Sequence, residues 1–139
     1  MGRESGIERH ELNYGWGHQP GWTENTEITL IGDVRGDGAV RAVRAWFDGL
    51  HPCERPHEAG LRYHGGATME LAVAAPGRAR LAIRSTGEDA FDSVAWYAQE
   101  VTDLVEKAAG ADRPGAGGHD DDAVRLRWTE VPVGGDPRI

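Results

Sequence analysis

One cysteine, Cys53, is all the chain carries, and nowhere does an apolar run approach the roughly 20 residues a membrane span needs. A lone thiol cannot close an internal disulfide, which points to a reducing compartment. The opening "MGRESGIERHELNY" lacks the apolar stretch of a secretory signal, so the expectation is a cytoplasmic protein with no membrane partner. Catalytic signatures are missing too. There is no triad, phosphate-cradling glycine motif or dinucleotide fingerprint, and "GDVRGDG" fits neither a P-loop nor a calcium loop. Positive charge is also scarce. Fifteen Lys and Arg stand against 23 Asp and Glu, a net charge of −8, so a nucleic-acid backbone would repel the chain.

What remains is a globular composition. The 139 residues are 39% apolar and 27% charged, which suits one domain with a real core. Twenty glycines and seven prolines imply substantial loops around it, and the Arg, Ala and Gly richness has the look of a bacterial-type, GC-rich genome.

Residues 26–32, "TEITLIG", are β-branched and partly alternating and read as a strand. Gly36, Asp37 and Gly38 supply a turn, with Asp37 as helix N-cap. Val40, Val43, Phe47 and Leu50 then make one helical stripe, stopped by Gly49 and Pro52. "TMELAVA" and "ARLAIRS" alternate about "APGR" as a hairpin. A three-residue loop, 76–78, pairs 73 with 81, 71 with 83 and 69 with 85, and keeps the apolar face continuous. It also sets Glu70 opposite Arg84 and Ala72 opposite Ala82. Phe91, Val94, Ala98, Val101 and Val105 mark a long helix capped by Ser85 or Thr86 and stopped by Gly110. A last strand follows at "VRLRWTEV".

The order β-α-β-β-α-β predicts an α+β two-layer sandwich of ferredoxin-like type, with residues 8–14 as an extra N-terminal edge strand. The expected organisation is a Gly/aromatic extension over 1–25, one domain over 26–131, and a flexible tail over 132–139.

Three features are candidates for function. On the sheet face free of helices, Arg80, Arg84, Arg125 and Arg127 would share one surface of an acidic protein, beside Glu27 and Thr29. Guanidinium groups bind carboxylate or phosphate bidentately, so an anionic ligand or acidic protein partner fits. The Ala72/Ala82 strip would also let a second copy approach as a homodimer. Next, Trp16 and Trp22 in "YGWGHQPGW" are interface anchors or cover for the sheet edge, while Trp46, Trp96 and Trp128 read as partly buried.

Finally, "LHPCERPHEAGLRYHGG", residues 50–66, reads as a long loop holding His51, Cys53, His57 and His64. All four side chains suit zinc, though the spacing matches no established zinc pattern. In an enzyme of the dimeric sandwich type, His18, His51 or His57 would be the general acid/base. The absence of any catalytic constellation favours a binding module over that enzyme, with no cofactor expected and a zinc-binding protein as a further alternative.

Overall fold

The computed structural model describes residues 6–12, 15, 22–23, 26–52, 61–64, 67–87, 89–111 and 124–131. In chain order they form β1 (Ile28–Arg35), α1 (Asp37–Asp48), β2 (His51–Pro52), β3 (Leu61–His64), β4 (Ala67–Ala75), β5 (Arg78–Ser85), α2 (Ala90–Ala111) and β6 (Arg125–Val131). The fold is mixed α+β, with one six-stranded antiparallel sheet ordered β2-β3-β4-β5-β1-β6 and two helices. That order differs from the four-stranded arrangement expected from the sequence. The additional strands β2 and β3 lie in the segment expected to be a loop. They hold only two and four residues, too few for a period-2 pattern to show.

One face of the sheet and both helices share a single buried cluster. Ile28, Leu30 and Val34 of β1, Met69 of β4, Leu81 and Ile83 of β5, and Leu126 and Trp128 of β6 supply the sheet side. Val40, Val43 and Phe47 of α1 meet Val94, Val101 and Val105 of α2 above them. Burying each of these side chains stabilises the fold by about 1.5–3 kcal/mol. Gly32 leaves a gap in the β1 row, and the ring of Trp128 fills it. A Cβ at Gly32 would stand 2.8 Å from Trp128 Cζ3.

The β4–β5 hairpin departs from the expected register by two residues. Val73 pairs with Ala79, Leu71 with Leu81 and Met69 with Ile83. A two-residue turn at Pro76 and Gly77 would by itself put Val73 opposite Arg80. A β-bulge between Val73 and Ala75 absorbs the extra residue and restores parity, so a tight turn and a continuous apolar face coexist. Glu70 therefore lies opposite Ala82 and reaches Arg84 diagonally, at 2.9 Å. Ala72 lies opposite Arg80 rather than Ala82, so the expected strip of small residues does not form.

Asp37 is the first residue of α1 rather than its N-cap. The cap position is Gly36, at φ 112°, with no side-chain cap hydrogen bond. Its amide donates instead to the Gly77 carbonyl at 2.9 Å, which docks the hairpin turn against the start of α1. Gly110 does not stop α2, which runs to Ala111.

Among the described residues, 8–12 form no edge strand; one parallel bridge joins Ile7, just before them, to Leu126. Around it the Leu126 amide donates to the Gly6 carbonyl, the Glu8 amide to the Leu126 carbonyl, and the Trp128 amide to Glu8 Oε1. Ile7, Leu12 and Trp22 pack against the main cluster. Trp96, read as partly buried, is 67% exposed on α2. The chain's expected tail, residues 132–139, lies outside the described residues.

Candidate functional site

Strand alternation decides which side chains reach the face opposite the helices. Because Leu30 and Val34 point into the core, Asp33 and Arg35 point away from it; Arg78, Arg80, Ala82 and Arg84 do the same on β5, and Arg125, Arg127 and Thr129 on β6. The register then arranges them in rows across the strands. Arg35 lies directly opposite both Arg78 and Arg125, so three guanidinium-bearing positions stand side by side. Neighbouring strands are about 4.8 Å apart, which makes this row about 10 Å long. In the next row Asp33 lies between Arg80 and Arg127.

The balance of charge in these two rows is uneven. Arg80 Nε is 3.6 Å from Asp33 Oδ1, a loose ion pair, and that buried nitrogen has no hydrogen-bond partner among the described residues. Arg35, Arg78, Arg125 and Arg127 are exposed, and among the described residues none has a carboxylate within ion-pair distance. Like charges directly opposite one another in a sheet repel. Such a row could take an anion, because a carboxylate or phosphate would relieve repulsion as well as form charge-assisted hydrogen bonds.

Of the arginines singled out from the sequence, Arg80, Arg125 and Arg127 fall in these rows. Arg84 does not. It is four residues beyond Arg80 on β5, mostly buried, and bonded to Glu70 at 2.9 Å. Arg35 and Arg78 were missed, and both for reasons of register. β1 extends three residues beyond Gly32, and the two-residue turn moves Arg78 out of the loop into β5. Thr29 does point to this face but is buried, as are Ile31 and Ala82.

The histidine-rich segment is only partly described. His51 is exposed on β2, with its ring 5.4 Å from that of Tyr63 across the strand pair. His64 pairs with Ala67 at the end of β3. Cys53, His57, His18 and Trp16 lie outside the described residues. Among the described residues no group of three or more His, Cys, Asp or Glu is placed to hold a metal ion. Trp22 stacks on Phe91 of α2, with ring centroids 5.3 Å apart.

Among the described residues, a histidine not singled out from the sequence has two carboxylates close by. His10 Nε2 is 2.7 Å from Glu130 Oε2, and Nδ1 is 3.5 Å from Glu8 Oε1. His10 borders an open groove of about 580 Å³ between residues 9–12 and α2, where Ala95, Ala98 and Gln99 form the opposite wall. Arg9 clips this segment to α2 through Asp103 at 2.6 Å and Glu106 at 3.0 Å. No sequence motif announces the arrangement, since Glu8 and Glu130 are separated by almost the whole chain.

No protein-family model, curated protein or solved structure matches this chain. No described helix is long and apolar enough to cross a membrane.

Proposed function

We propose that this protein is a non-enzymatic binding or accessory module. It recognises a protein partner presenting an acidic segment, or a small anionic ligand, through the arginine-bearing end of the helix-free sheet face. One observation carries the reading: Arg35 stands directly opposite Arg78 and Arg125, beside Arg80 and Arg127, with Asp33 the one carboxylate in the two rows. Concentrating positive charge this way in a chain of net charge −8 costs stability unless something anionic is bound there. The frame we infer is a ferredoxin-like sandwich carrying β2 and β3 as an inserted hairpin. Its support is that β6 lies beside β1 and β1 beside β5. The lone cysteine supports a cytoplasmic setting.

A homodimer through this end is disfavoured, since a two-fold interface presents the same positive patch on both copies. The enzyme reading retains one supporting observation, His10 beside Glu130 in the groove along α2. That groove is partly open to solvent, which favours binding over enclosed chemistry. Zinc at His51, Cys53, His57 and His64 is decided separately by metal analysis of untagged protein. Stoichiometric zinc would establish the site, and metal-free protein would remove it.

Fluorescence polarisation with a labelled hexaglutamate peptide tests the main reading. Wild-type protein binds it with an affinity that falls as salt rises, and Arg78→Gln with Arg125→Gln weakens it at least about tenfold. Equal affinities for the two proteins would exclude the role.

A further inference from the structure

On the other side of the same hairpin, β4 outruns its helical cover. Val73 pairs with Ala79 and so belongs to the helix-side face, yet it is 41% exposed. Ala75 and Pro76 beyond it are exposed too. A groove of about 560 Å³ opens there, between the first turns of α1 and the β4–β5 turn. Its apolar walls are Val40, Val73, Ala75 and Pro76, and Arg41 and Arg44 stand on its rim. The two arginines are three residues apart, hence neighbours on one helix face. Both are exposed, and among the described residues neither forms an ion pair. Asp37, the acidic residue of the rim, is packed against the turn, its Oδ1 2.6 Å from where a Cβ at Gly77 would lie.

We infer that this groove is a second binding site, specific for a small amphipathic anion: an apolar chain or ring with one carboxylate or sulfonate head. The walls take the apolar body out of water, which an exposed Val73 at a core-facing register otherwise leaves undone. The guanidinium groups of Arg41 and Arg44 take the head by charge-assisted hydrogen bonds. A small molecule fits better than a protein segment, because the volume lies in the range of small-ligand pockets, about 300–1,000 Å³. None of the sheet-face arginines lines this groove, although Ala75 at its edge pairs with Arg78.

The test uses 8-anilinonaphthalene-1-sulfonate as a fluorescent probe and decanoate as competitor, on the full chain. The probe should saturate at one equivalent and be displaced by decanoate. Arg41→Gln with Arg44→Gln should weaken the probe about tenfold or more, and Val73→Asn should weaken it too. Arg78→Gln with Arg125→Gln should leave it unchanged. Wild-type affinity in the Arg41/Arg44 double variant, loss of binding in the Arg78/Arg125 double variant, or failure of decanoate to compete would each overturn the inference. Should Val73→Asn fail to fold, the Arg41/Arg44 variant, altered only at exposed positions, gives the decision.

Discussion

Asp33 and Arg84 show how one sheet face can hold both satisfied and unsatisfied charge. Arg84 has Glu70 at 2.9 Å and is largely withdrawn from water, so it belongs to the structure. Asp33 offers Arg80 a contact of only 3.6 Å and stands between Arg80 and Arg127. An arriving anion must compete with that carboxylate. Asp33→Asn should therefore strengthen hexaglutamate binding several-fold in the polarisation assay, and weaker binding would count against the site. Gly32 makes a different kind of prediction. Gly32→Ala forces a Cβ into the buried ring of Trp128, where nothing flexible can yield, and should cost about 1–3 kcal/mol in denaturant unfolding. Tyr97 is buried in α2, and burial, aided by the charge of Glu100, raises its pKa above the usual tyrosine value. The folded state then holds the phenolic proton more tightly than the unfolded chain does. The resulting stability is complete below about pH 10 and is lost as pH rises through the higher folded-state value. Tyr97→Phe should flatten that alkaline decline in a series of thermal melts.

At the level of elements, the helices and the four longer strands were legible because each carries its period locally. The stripe Val40, Val43, Phe47 is visible in α1, and Leu126 with Trp128 alternate against Arg125 and Arg127 in β6. What was not legible depends on pairing. The bulge at Val73–Ala75 is a property of two strands together, and without it a two-residue turn is inconsistent with a continuous apolar face. The same error hid Arg78 from the candidate surface. β2 and β3 were hidden because they are brief and flanked by proline and glycine. The N-terminal segment holds the β6 edge through backbone groups and the Glu8 carboxylate, which lends an acceptor where a neighbouring strand would supply a carbonyl. Removing residues 1–8 should thus speed hydrogen exchange at the amides of Leu126 and Trp128 while leaving that of Leu30, in the middle of the sheet, protected.

Among the described residues the positive charges are sorted rather than evenly spread. The chain carries an excess of eight acidic residues, yet Arg35, Arg78, Arg80, Arg125 and Arg127 gather at one end of one sheet face. On the proposed reading, that segregation would select acidic partners in spite of the chain's net negative charge. It also implies that partner binding weakens with ionic strength, as exposed charge pairs do. The most direct measurement is an NMR titration that follows the Nε–Hε resonances of the arginine side chains as hexaglutamate is added. The account predicts the largest shifts at Arg35, Arg78 and Arg125, with Arg84 nearly still. Shifts led by Arg9, Arg41 or Arg44, or no shifts at the sheet arginines, would contradict it.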